Sequence, residues 1–82
     1  GLHIAAEITS TRIAEFLIRE GPQPMRRINS QLAIEVQGFD QLSLSKQRRL
    51  IMSAMEQVDP KNNCVFEKIG WGQWAVRKVD SD

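Results

Sequence analysis

Ser45-Lys46-Gln47-Arg48-Arg49-Leu50-Ile51-Met52, followed after a turn by Val65-Phe66-Glu67-Lys68-Ile69-Gly70-Trp71-Gly72-Gln73-Trp74-Ala75-Val76, is the stretch whose reading decides the fold. At helical spacing Leu50, Ile51, Ala54, Met55 and Val58 form one apolar stripe. Ser45, Lys46, Arg49, Met52, Ser53 and Glu56 fall opposite it, and Arg48 lies on the border. Ser43 or Ser45 can cap this helix, which the pattern predicts to continue to about Val58, where Asp59-Pro60 and the polar Lys61-Asn62-Asn63 end it. Cys64 to Ile69 and Trp74 to Val79 then read as two strands joined across the turn glycines Gly70 and Gly72. A basic amphipathic helix leading into a glycine-tipped hairpin predicts an α+β fold of the winged-helix type.

Working outward, Thr9-Ser10-Thr11 offers caps for a first helix in which Ile13, Phe16, Leu17 and Glu20 follow at helical spacing. Gly21-Pro22 ends it, the glycine as a left-handed cap and the proline because it cannot continue the helix. Gly21-Pro22-Gln23-Pro24 is held extended by its prolines and can supply a short first strand. Pro24 opens a second helix with Met25, Ile28 and Leu32 on one face and Arg26, Arg27 and Gln31 outside it. Gly38-Phe39 closes that helix, and Phe39 is large enough to anchor the connecting turn. Residues 1 to 8 have no clear period and read as a flexible N-terminal segment from which Ile8 can dock, leaving a winged-helix domain over residues 9 to 80. The expected order is three helices with a C-terminal two-stranded β-hairpin wing and a short first strand.

With 82 residues the chain is long enough for one small core and too short for two. Apolar residues never run long enough for a transmembrane span or a signal-peptide core, so a soluble, intracellular domain is expected. A monomer is also expected. One cysteine, Cys64, and one histidine, His3, allow neither an internal disulfide nor a tetrahedral zinc site, and no cofactor is implied. Catalysis is not expected. His3 belongs to the tail, Cys64 reads as a small buried hydrophobe, and neither a glycine-rich phosphate loop nor a carboxylate pair is present.

The formal net charge is only +1, so the distribution carries the argument about partners. Residues 43 to 79 hold seven bases against three acids. The helix after Ser43 meets the requirements of a major-groove reader, with Ser45, Lys46, Arg48, Arg49 and Ser53 available and apolar residues fixing it from behind. Free amides at its start attract phosphate, and an arginine on its face can bond either guanine or phosphate. The hairpin tip, framed by Lys68, Gln73, Arg77 and Lys78, can reach the adjoining backbone or minor groove. Of the two tryptophans, Trp74 is expected in the core and Trp71 at the tip, where it can pack on sugar and phosphate. Arg26 and Arg27 would follow a phosphate track. The plain alternative is that these cations solvate helix faces or pair with Glu35, Asp40 and Glu56.

Three segments carry a resemblance: Arg12 to Gly21 with Pro22, Leu42 to Glu56 containing SKQRRLI, and Val65 to Trp74 containing FEKIGWGQW. They look like the N-terminal region of the fungal Sin-three-binding proteins, and the resemblance covers roughly residues 10 to 80. It implies a nuclear transcription regulator, with cytoplasmic shuttling open to it. The implied target is double-stranded DNA at a T-rich, A-rich promoter element of ribosome-biogenesis genes, the ribosomal RNA processing element. It also implies work with a histone-deacetylase corepressor. Ser45, Lys46, Arg48, Arg49 and the Gly70 to Trp74 tip carry over, whereas Gln23-Pro24-Met25-Arg26-Arg27 departs from the family's second-helix entry. The competing reading is a protein interaction module that holds the corepressor itself.

Overall fold

The structure, a computed structural model, describes residues 4–56 and 64–78. Among the described residues four helices and a three-stranded antiparallel sheet form an α+β fold, one helix more than the sequence pattern predicts. The elements are α1 (Ile4–Glu7), α2 (Ser10–Glu20), β1 (Gln23–Pro24), α3 (Met25–Glu35), α4 (Leu44–Glu56), β2 (Cys64–Ile69) and β3 (Gln73–Lys78). A 3₁₀ turn, Phe39–Gln41, links α3 to α4.

α2 starts where the sequence places a cap: the Thr9 hydroxyl accepts the Arg12 N–H at 3.2 Å. Its stripe of Ile13, Phe16 and Leu17 is buried, whereas Glu20, spaced to continue the stripe, is exposed. The helix ends at Gly21, which has φ 84° and donates its N–H to the Leu17 carbonyl at 2.8 Å. Pro24 stands just before the first helical residue of α3, where its missing N–H is of no consequence. In α3, Ile28 and Leu32 are buried and Met25 is half-buried against the core.

Glycine is required at position 38. Its φ of 90° is left-handed, and an added Cβ would lie 3.1 Å from the Ile4 side chain. This turn aims Phe39 into the centre of the core, where it is wholly buried alongside Ile13 and Ile51. The expected anchor role of Phe39 is met.

Residues 4–8, for which the sequence pattern gives no element, form a helical turn followed by buried Ile8. Arg12 secures this turn, donating from Nε to the Glu7 carbonyl at 3.0 Å and from its guanidinium to Glu35 on α3 at 3.1 Å. Gln31 donates to the other Glu35 oxygen, so the glutamate is occupied by two partners. Gln31, expected outside, is therefore part of a half-buried polar cluster.

α4 buries Ile51, Ala54 and Met55 and half-buries Leu50, as the stripe predicts. Met52, placed on the outer face by helical spacing, is half-buried and packs against the core, which the length and flexibility of a methionine allow. The expected end of α4 at Val58, the turn from Asp59 to Asn63, the outer strand end at Val79 and the role of His3 lie outside the described residues.

The sheet order is β1-β3-β2. β1 pairs with β3 through Gln23 with Trp74 and Pro24 with Gln73. The hairpin register pairs Phe66 with Val76, Lys68 with Trp74 and Ile69 with Gln73. Cross-strand partners share a face, so Phe66, Trp74 and Val76 face one way, and all three pack against the helical core. β3 begins one residue earlier than the sequence predicts, because Gln73 completes the pairing with both neighbours.

Candidate nucleic-acid interface

The first turns of α3 and α4 carry exposed cations and no acid; α2 also starts without an acid, but its Arg12 is engaged by Glu7 and Glu35. The positive end of a helix dipole favours Asp or Glu in the first turn. α3 instead opens with Arg26 and Arg27, and α4 with Lys46 followed by Arg48 and Arg49. All five are exposed, and among the described residues none has an ion-pair partner. The pairing considered from sequence does not form: Glu35 is engaged by Arg12, and neither Asp40 nor Glu56 is bridged to a cation among the described residues.

α4 is capped by Ser43, not Ser45. The Ser43 hydroxyl accepts the Lys46 N–H at 3.2 Å and its carbonyl accepts the Gln47 N–H at 2.9 Å. Ser45 is thereby left exposed in the first turn, its side chain without a hydrogen bond among the described residues. A groove of about 470 Å³ runs between the two helices, lined by Arg26, Asn29 and Ser30 from α3 and by Leu44 and Arg48 from α4. Asp40 also lines it, so the groove is positive on balance and not uniformly so. Leu44 is 78% exposed at its edge.

Beneath the groove lies a residue to which the sequence reading gives no role. Gln47 is only 6% exposed, the single buried polar residue among those described. It accepts from Asn29 Nδ2 at 2.8 Å and donates from Nε2 to the Leu42 carbonyl at 2.8 Å. Buried amides are costly unless bonded, and here both ends are satisfied, which fixes α4 to α3 and to the incoming turn. The signal was present in the spacing, since Gln47 precedes Leu50 and Ile51 by three and four residues and so lies on their stripe.

The expected site residues do not all converge. Arg26 and Arg48 share the groove, whereas Arg27 lines a neighbouring depression with Glu20, Gln31 and Ile34, the two meeting at Ser30. Ser53 lines a separate depression with Thr9, Ser10 and Leu50. On the hairpin, Lys68 shares the Trp74 face while Arg77, opposite Val65, belongs to the other face. Both are exposed. Gln73 is half-buried and Lys78 stands opposite Cys64 at the far end from the tip.

The two tryptophans divide as expected. Trp74 is half-buried against the core, and Trp71 at the tip is 100% exposed. Trp71 also has φ 65° and ψ 22°, and Gly72 follows with φ 74°. Two successive positive φ angles make the kind of turn that suits a right-twisted hairpin. For a residue with a Cβ this conformation costs roughly 1–2 kcal/mol.

Among the described residues, no helix is long and apolar enough to cross a membrane.

Known proteins provide the remaining context. The family model described as "Putative Sin3 binding protein" (Stb3) matches residues 4–82. Protein STB3 of Saccharomyces cerevisiae is 48% identical over 80 residues, covering 98% of this chain and 16% of that protein. Protein STB3 of Eremothecium gossypii is 48% identical over 75 residues, covering 92% of this chain and 15% of the relative. The Schizosaccharomyces pombe STB3 homolog is 35% identical over 74 residues, covering 90% and 18% respectively. The chain thus spans about a sixth of the length of the curated relatives it matches. No solved structure matches it significantly. With the family match running from α1 past β3, the chain belongs to the Stb3 family.

Proposed function

We propose that this domain binds double-stranded DNA as a winged helix, with α4 in the major groove and the hairpin as the wing on the adjoining backbone or minor groove. The observation that carries the reading is the set of exposed cations at the starts of α3 and α4, which, unlike Arg12 of α2, lack ion partners among the described residues. Phosphate supplies the missing negative charge, and helix N-terminal amides supply hydrogen bonds to it. In this arrangement Arg26 and Arg48 hold phosphates from either side of the groove, Arg27 extends the track, and Ser45, Lys46, Arg49 and Ser53 meet base edges or backbone. Gln47 acts through position, holding the reading helix at its angle to α3. The element order and the β1-β3-β2 sheet support the winged-helix assignment.

The proposed target is a T-rich promoter element of ribosome-biogenesis genes in the nucleus. A narrow A-tract minor groove has enhanced negative potential, which suits Lys68, Gln73, Arg77 and Lys78 on the wing. The domain is titrated against T-rich and scrambled duplexes at two salt concentrations. The T-rich duplex is expected to bind more tightly, with the logarithm of affinity falling by about 0.9 per neutralised phosphate for each decade of salt. Equal weak affinity for both duplexes contradicts sequence-specific recognition.

The family description favours a second partner, the Sin3 corepressor. The relatives have about five-sixths of their length outside the matched region, and corepressor contact by the whole protein is compatible with DNA contact by this domain. If the domain itself is the corepressor module, Lys46→Glu with Arg49→Glu leaves every binding activity of the domain intact. Loss of duplex binding in that variant supports the DNA reading.

A further inference from the structure

We propose that Trp71 is an apolar wedge which the hairpin tip inserts edgewise into the DNA minor groove, partly unstacking a base step. The inference rests on the reading of α4 as the major-groove helix and goes further, giving the tip a task separate from phosphate attraction.

Trp71 is the largest side chain of the hairpin tip and is wholly exposed to water. It lies outside the set of hydrophobic residues packed against the core, to which its neighbour Trp74 belongs. Its backbone is left-handed, a conformation that Gly, Asn or Asp would adopt more readily. Exposure and backbone strain are both unfavourable in the free domain, and neither is offset by a contact there. The tryptophan ring thus adds no packing among the described residues of the free domain and is available to a complex.

The surroundings favour duplex DNA as the occupant. Gly70 and Gly72 flank the ring, and a Cβ at either would meet nothing within 4 Å, so the ring stands alone on a narrow projection. Among the described residues Ile69, 38% exposed, is the only other exposed large apolar side chain of the hairpin, whereas a protein hot spot is commonly surrounded by a wider occluding patch. A single planar ring on a thin tip fits a slot, and the minor groove is a slot only about 6 Å wide. Lys68, next to the tip in the register, is exposed and has no ion partner among the described residues, so it can meet a phosphate of the groove wall, while exposed Arg77, paired with Val65 farther from the tip, can reach only more distant backbone. β2 adjoins α4, which brings the hairpin alongside any duplex seated on that helix. Apolar side chains that enter the minor groove bend DNA, and flexible T-A steps yield most easily.

The test compares the wild-type domain, Trp71→Ala and Lys68→Ala on a T-rich duplex labelled at both ends for energy transfer. Trp71→Ala is expected to lose about tenfold in affinity, the scale of one aromatic stacking contact, while keeping the wild-type salt slope and thermal midpoint. Lys68→Ala is expected to flatten the salt slope by about one unit. The wild type should shorten the end-to-end distance of the duplex and quench tryptophan emission at saturation, and Trp71→Ala should do neither. Wild-type affinity and bending in Trp71→Ala overturn the wedge alone and direct the tip to a protein partner. Absence of duplex binding by the wild type overturns both the wedge and the DNA reading beneath it.

Discussion

Every buried side chain among the described residues lies between Ile8 and Met55, and none lies in the hairpin from Phe66 to Arg77. The helices close a core around Phe39, Ile13 and Ile51, whereas the hairpin rests on that core through half-buried Phe66, Trp74 and Val76. A self-contained helical body can therefore carry a projecting strand pair whose tip is free of packing duties. The same division recurs within α4, where Ile51, Ala54 and Met55 hold the helix and Ser45, Lys46 and Arg49 are exposed.

The comparison can be broken by making the same change in both regions. Phe39→Ala removes a fully buried ring and is expected to cost about 3–5 kcal/mol in urea unfolding, enough to unfold a domain this small. Phe66→Ala, at a half-buried position, is expected to cost clearly less. Equal losses would show that the hairpin belongs to the core after all. Next in size, Gln47→Ala strips the Asn29 amide and the Leu42 carbonyl of their partner and should cost about 1–3 kcal/mol. Its hairpin counterpart, Gln73→Ala, should stay within about 0.5 kcal/mol, because backbone pairing holds that position without the side chain.

Smaller effects sharpen the view of the tip. Trp71→Asn places a residue tolerant of positive φ in the turn, and thermal unfolding should show unchanged stability or a gain of up to about 1 kcal/mol. A loss of stability would mean that the tryptophan contributes to folding. The smallest stability effect is expected for Lys46→Glu with Arg49→Glu, within about 0.5 kcal/mol, while duplex binding in a gel-shift titration disappears. The acid at position 46, in the first turn of α4, also suits its dipole, so any change in stability from that substitution should be upward.

Much of this division was legible in the sequence because local rules and tertiary packing agree. Thr9 caps α2, Phe39 follows a left-handed glycine into the core, and the turn glycines put Trp71 at the tip while Trp74 falls in the returning strand. The parts that were not legible depend on contacts distant in sequence. The turn at Ile4–Glu7 has no period of its own and is held by Arg12, whose second partner, Glu35, lies on α3. Gln47 lies on an apolar stripe but looks polar, and only the folded structure supplies the Asn29 and Leu42 partners that allow its burial. The candidate site was legible as a set of cations and not as a surface, since helical phase alone does not reveal that Arg26 and Arg48 share one groove while Arg27 lines the depression beside it.

The central claim is that the outward face of α4, the start of α3 and the hairpin tip form one DNA-binding surface. Amide chemical-shift mapping of the domain during addition of a T-rich duplex tests it most directly. Shifts concentrated at Arg26, Arg27, Ser45 to Arg49, Lys68 and Gly70 to Gln73 are the expected result. Shifts centred instead on the exposed apolar residues Ile18 and Ile34, or none at a saturating excess of duplex, would contradict it.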